Sequence, residues 1–198
     1  MKRGLSFLVA TFAVSILMLP ASRPALAAKS PKAPKSFQAQ ITVQAGSDSV
    51  EHGTMYYSHG RIREEMTPAG GGPRIVTIID PTRKSMYVIE ANKKAFRVLP
   101  WDTRSALISG ALKRSERRKP ADTKTIDGRE CEDFKIAPTE PSAQPFSVCI
   151  DKSTRFPVEL TTDDSDPAKQ LQIKWTNLSP GPQAAVLFDP PLGYQMRK

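Results

Sequence analysis

The chain has 198 residues, with 29 Lys and Arg against 20 Asp and Glu, a net charge of +9, two cysteines and two histidines. That length suits one domain with a sizeable core and is short for two. The positive balance points toward anionic partners such as membrane headgroups, polyanionic glycans or an acidic protein face, and so few Cys and His residues leave little material for a metal or redox centre.

The chain begins "MKRGLSFLVATFAVSILMLPASRPALAAKS". Lys2 and Arg3 precede an apolar core over residues 5–19, followed by Pro20 and the small-residue signature Ala25-Leu26-Ala27. This is the plan of a secretory signal peptide over residues 1–27, cut after Ala27. Its apolar core is short for a spanning helix, and no later stretch is long and apolar enough to cross a bilayer. The expectation is an exported, soluble protein of the periplasm, with an extracellular location as the alternative. Neither cysteine lies near the cleavage site, so a lipid-modified N-terminal cysteine is not expected. Loss of Lys2, Arg3 and Arg23 lowers the net charge from +9 to +6, and the mature chain stays basic.

Residues 28–36, "AKSPKAPKS", are rich in Pro and Lys without apolar periodicity and read as a flexible lead-in to a single domain over 37–198. The domain opens on "SFQAQITVQAG", where Phe37, Ala39, Ile41 and Val43 alternate with Gln38, Gln40, Thr42 and Gln44. A two-residue period of this kind makes a half-buried strand. Five more short apolar runs follow, "GTMYY", "RIREEM", "RIVTIID", "SMYVIE" and "AFRVLP", divided by the turn signals "SHGR", "PAGGGP", "DPTRK" and "ANKK". The spacings are too short to hold crossover helices, so the sheet is antiparallel.

One stretch suits a helix, "WDTRSALISGALKR" over 101–114, with Asp102 or Thr103 to cap it and Gly110 to weaken it. Strands resume with "TKTIDG", "RECEDFKIAP", "PFSVCID", "RFPVELTTD" and "KQLQIKWTNL". The close, "PQAAVLFDPPLGYQMRK", carries Pro190, Pro191 and Gly193 and reads as an extended tail along the domain. The fold class is mainly β, with about eleven strands.

Cys131 and Cys149 sit on two predicted strands joined by the Pro-rich "APTEPSAQP". A redox motif wants C-x-x-C and a zinc site wants further ligands nearby, so in an exported chain a disulfide between neighbouring strands is the plain reading. His52 and His59 lack a third ligand or an evident triad, and there is no G-x-S-x-G elbow. No enzyme, cofactor or metal is expected. The basic run Lys113, Arg114, Arg117, Arg118 and Lys119 is either a solvated loop or a contact for anionic membrane surface. Export and the lack of a recognition motif disfavour nucleic acid.

Taken in order, "ITVQAG", "GTMYYSHGRIREEM", "IVTIIDPTRKSMYVIEANKKAFRVLP", "IDGRECEDFKI", "CIDKSTRFPVEL" and "LFDPPLGYQM" resemble the LolA/LolB-type periplasmic lipoprotein-carrier superfamily, above all its small relatives with paired cysteines. The resemblance implies a single curved antiparallel sheet, an open half-barrel, with one or a few short helices covering a concave apolar face that takes acyl chains. Inward candidates are then Ile41, Val43, Met55, Tyr57, Ile62, Met66, Val76, Ile78, Tyr87, Ile89, Phe96 and Val98. The family usually places a helix ahead of the first strand, and "AKSPKAPKS" does not supply one. The functional expectation is a non-enzymatic periplasmic binding protein for a lipid or lipoprotein acyl chain. The alternative is an envelope interaction or sensor module that binds a protein or an anionic membrane surface without carrying lipid.

Overall fold

The first strand forms as its alternation dictates. β1 (Ser36–Ala45) buries Phe37, Ala39, Ile41 and Val43 and leaves the intervening Gln and Thr side chains at least partly wet, because successive side chains of a strand point to opposite faces. The computed structural model describes residues 34–47, 49–100, 119–137 and 144–197. β1 starts one residue ahead of the expected domain boundary.

Five strands follow as a meander: β2 (Ser49–Ser58), β3 (Arg61–Thr67), β4 (Ile75–Asp80), β5 (Ser85–Glu90) and β6 (Ala95–Pro100). The turns are made by the residues that signalled them. His59 and Gly60, at φ 50° and 92°, form the two-residue link from β2 to β3, a geometry whose twist matches that of the flanking strands. In the link from β4 to β5, Asp80 Oδ1 accepts from the backbone N–H groups of Thr82 at 2.9 Å and Arg83 at 3.2 Å.

The second group is β7 (Asp122–Ile126), β8 (Arg129–Ile136), β9 (Phe146–Asp151), β10 (Pro157–Thr162) and β11 (Leu171–Pro180), and the chain closes on β12 (Gln195–Arg197). All twelve join one open, curved sheet that does not close into a barrel, in the order β12-β6-β5-β4-β3-β2-β1-β11-β10-β9-β8-β7. Every neighbouring pair is antiparallel except β12 on β6. The twelfth strand is one more than the sequence pattern predicts. Instead of an extended tail alone, the C-terminal segment makes a short 3-10 turn at Ala185–Phe188 and then a parallel strand on the β6 edge. Among the described residues the only helical turns are of this short kind, at Ala91–Lys93, Pro167–Lys169 and Ala185–Phe188. The predicted helix over 101–114 lies outside the described residues.

The register assigns each side chain to one of two faces. Trp175 of β11, Ile41 of β1 and Gly53 of β2 form one cross-strand row, and Ile173, Val43 and Glu51 form the next. On this face Phe37, Ile41, Met55, Ile62, Ile79, Phe134, Ile136, Val148, Leu160, Ile173 and Trp175 join one buried cluster. Its aromatic centre is Phe156, which meets Phe37 edge-on at 4.3 Å and Trp175 at 6.2 Å between ring centroids. We call it the apolar face.

The opposite face has two smaller buried regions. One surrounds the disulfide between Cys131 of β8 and Cys149 of β9, packed with Val158 and Ile126. The other lies where the C-terminal segment crosses the strands. Arg63 Nη1 donates to the Leu187 carbonyl at 3.1 Å, Arg61 pairs with Asp189 at 3.4 Å, and the Arg61 guanidinium sits 5.2 Å from the centre of the Phe188 ring. Phe188 itself is buried, and Gln195 N–H then donates to the Lys94 carbonyl at 3.0 Å as β12 docks. This strap shares its face with Ile78 and Ile89, which are buried too.

Candidate functional site

The register divides the twelve apolar candidates between the two faces. Tyr57 pairs with Phe37 and Ile62, Met55 with Ala39, and Gly53 with Met66, so Ile41, Val43, Met55, Tyr57, Ile62 and Met66 share the apolar face. Ile78 instead pairs with Arg63 and Tyr87, and Tyr87 with Val98. Val76 pairs with Glu65 and Ile89, and Ile89 with Phe96. Val76, Ile78, Tyr87, Ile89, Phe96 and Val98 therefore point to the strap side. The two sets cannot line one cavity.

The residues of β4 to β6 that do lie on the apolar face are Ile75, Thr77 and Ile79, then Met86 and Val88, then Leu99, Arg97 and Ala95. Sequence reasoning missed Ile75, Met86, Val88 and Leu99, because these strands are apolar on both faces and their period does not choose one. The signal that finds them is cross-strand pairing from the unambiguous β1 outward. Coverage of this face is uneven on β4 to β6, where Ala95 is buried. Ile79 is fully buried, Met86, Val88 and Leu99 are half-buried, and Ile75 is 43% exposed.

On β3 to β12 polar groups enter the face along one cross-strand row and beside it. The row runs Met55, Glu64, Thr77, Val88, Arg97 and Arg197, from β2 to β12. Glu64 is buried, whereas Arg97 and Arg197 are exposed at the edge. In the adjacent row Glu90 receives Lys93 Nζ at 2.8 Å and Arg97 Nε at 2.9 Å. The hydrogen bond from Lys93, helped by the charges of Lys93, Arg97 and Arg197 and opposed by desolvation, holds the Glu90 carboxyl below the ordinary glutamate range.

Other features are less suited to an apolar ligand. An open groove of about 480 Å³ on the disulfide side is lined in part by Lys124, Asp133, Lys135, Ser147, Thr161 and Gln170, with Lys124 Nζ 2.8 Å from Asp133 Oδ2. His52 Nδ1 lies 3.2 Å from Thr42 Oγ1 and His59 Nδ1 lies 3.0 Å from Ser58 Oγ, each an exposed hydrogen bond within or beside β2. Among the described residues no three His, Cys, Asp or Glu side chains gather as a metal site. Of the basic run, Lys119 is exposed ahead of β7, while Lys113, Arg114, Arg117 and Arg118 lie outside the described residues.

No protein-family model matches the chain, and no curated protein matches it. Solved structures similar to it include an uncharacterised conserved protein of Thermus thermophilus, at a TM-score of 0.59 and 11% identity over 83% of this chain and 90% of that one. They also include a LolA superfamily protein of Nitrosomonas europaea, at a TM-score of 0.47 and 10% identity over 80% of this chain and 92% of that one. A third is Pseudomonas aeruginosa MucB in complex with MucA, at a TM-score of 0.45 and 16% identity over 78% of this chain. The chain spans 55% of the length of that last structure. The likeness to the Thermus protein is one of fold. The open curved sheet implied by the resemblance to LolA/LolB-type carriers is the sheet this chain forms.

Proposed function

We propose that the chain is a non-enzymatic envelope protein that holds a hydrophobic ligand, a lipid or an acyl chain, against the apolar face of its sheet. The observation that carries this reading is incomplete burial of apolar side chains at the β4 to β6 end of the face, where Val88 and Leu99 are half-buried and Ile75 is exposed beside fully buried Ile62 and Ile79. A sheet with one apolar face must cover it, and apolar surface that the described residues leave partly exposed beside a packed cluster is a natural seat for a ligand. The site is then the β4 to β6 end of the face, continuous with the core at Ile79. The reading includes export, with a mature chain beginning at Ala28.

Native mass spectrometry and lipid extraction of the full chain, purified from the cell envelope of its exporting host, test the proposal. Co-purifying acyl lipid, displaced in chains carrying Val88→Asp, is the supporting result. Protein that carries no lipid and does not bind added long-chain fatty acid or alcohol overturns it in favour of an interaction module. N-terminal sequencing of the same sample checks cleavage after Ala27.

A further inference from the structure

We infer that the ligand held at the β4 to β6 end of the apolar face is an amphiphile with an anionic head, a carboxylate or a phosphate, and that Arg97 and Arg197 receive that head. The inference rests on the proposed function and names its ligand class.

The argument starts from which residues the register makes neighbours. On the apolar face β6 presents Ala95, Arg97 and Leu99, so an arginine stands where the alternation calls for an apolar side chain. Arg97 lies opposite Val88 on one side and opposite Arg197 of β12 on the other. The half-buried Val88 and Leu99 are thus the immediate surroundings of a guanidinium that is 48% exposed. An acyl chain lying across Ile75, Thr77 and Val88 along these rows leads from the buried cluster to that guanidinium.

The charge count at this edge favours an anion. Lys93 and Arg97 both contact the single carboxylate of Glu90, and Arg197 is close enough to lower its proton affinity further. Among the described residues, three cations around one carboxylate leave an excess of two positive charges beside apolar surface that those residues leave partly exposed. Paired guanidinium groups match the oxygen geometry of carboxylates and phosphates, and such charge-assisted bonds are the strong ones. Positive charge and apolar surface side by side are what a headgroup and its chain require.

A different role for the same residues is edge protection, since charged side chains turned inward on edge strands discourage pairing with other chains. The experiment separates the two. Hexadecanol, palmitate and hexadecyl phosphate compete for a fluorescent acyl probe on the full-length chain and on the Arg97→Gln, Arg197→Gln double variant. The expected result is that at least one of the anions binds about 10-fold tighter than the alcohol, and that the double variant loses this preference while its alcohol affinity stays the same. The palmitate and phosphate arms tell a fatty acid from a phospholipid head. Equal affinity for alcohol and anions overturns the inference while leaving apolar-ligand binding intact. So does a double variant that self-associates but keeps the preference. If none of the three binds, the underlying reading fails and the inference falls with it.

Discussion

The indole N–H of Trp175 donates to the sulfur of Met55 at 3.4 Å, across β1, which lies between their strands. Trp175 pairs with Ile41 and Met55 pairs with Ala39, so the indole passes over the smallest side chain on that stretch of β1. All four residues are fully buried. Trp175→Phe removes a buried donor and some volume, and is expected to lower unfolding free energy by about 1–3 kcal/mol in urea titration. Ala39→Val crowds the same crossing and is expected to cost a similar amount, about 1–3 kcal/mol. An unchanged urea midpoint for both would remove Trp175 and Met55 from the centre of the fold.

Gly53 faces the core at a point where no other residue fits. A Cβ there would stand 2.3 Å from the Glu65 carbonyl oxygen and 2.6 Å from Met66 Sδ. The carbonyl belongs to the β2–β3 ladder and cannot retreat without breaking it. Gly53→Ala is expected to cost about 3 kcal/mol or more, with Gly70→Ala, where a Cβ meets nothing within 4 Å, as the near-neutral control. Thermal denaturation of the pair provides the comparison.

The Cys131–Cys149 bond spans 18 positions and links neighbouring strands diagonally on the face opposite the main core. By the chain-entropy account its loss costs about 3 kcal/mol. The Cys131→Ala, Cys149→Ala chain should therefore unfold at lower urea while keeping its β-sheet circular dichroism. Apolar ligand binding should survive in it, because the proposed site lies at the other end of the sheet.

Asp151 opens the turn into β10. Its Oδ1 accepts from Ser153 N–H at 2.8 Å, Ser153 Oγ at 2.6 Å and Thr154 N–H at 2.8 Å. Desolvation is the largest single influence and pushes the carboxyl up, but the hydrogen bonds together outweigh it and hold Asp151 below the ordinary aspartate range. The folded chain thus binds this proton more weakly than the unfolded chain does. The stabilisation is complete above the unfolded aspartate pKa of about 4 and is lost as pH falls through the lower folded value. Acid titration of stability should show a shallower decline in Asp151→Asn, which lacks the titrating group, alongside a lower plateau at neutral pH.

The strap hangs on few anchors, Phe188 foremost. Phe188→Ala is expected to free it locally, so that backbone amides of residues 185–197 exchange with solvent at least about 10-fold faster while β1 and β11 keep their protection. Uniform acceleration across all strands would show that the strap is part of the global core instead.

The sequence revealed β1 fully, because Gln and Thr fill every outward position between its apolar residues. It revealed the β2–β3 turn as well, since His59-Gly60 adopt left-handed angles that local chemistry favours, whereas the Asp127-Gly128 turn between β7 and β8 lay inside a segment read as strand. The facing of β4 to β6 was not legible. Those strands are apolar on the strap side as well as on the proposed ligand side, and the strap that accounts for this arrives from about a hundred residues downstream. The irregular pairing of β11 with β1, where Asn177 turns left-handed at φ 50°, also escaped the pattern. Local periodicity reports what a strand buries, and only pairing reports against which face.

The strand order carries a consequence for how the chain is made. β1 sits at the centre of the sheet, between β2 and β11, with residue 41 opposite residue 175. A chain emerging N-terminus first can zip β1 to β6 into a meander early, but the far side of β1 waits for residues 171–180. During that interval β1 is a bare edge with no charge and no proline, the composition that invites other chains to pair. Premature termination anywhere before β11 therefore leaves a template for aggregation in place of a sheet. Such a protein depends on prompt completion, or on a chaperone that keeps strangers from its middle strand until its own partner arrives.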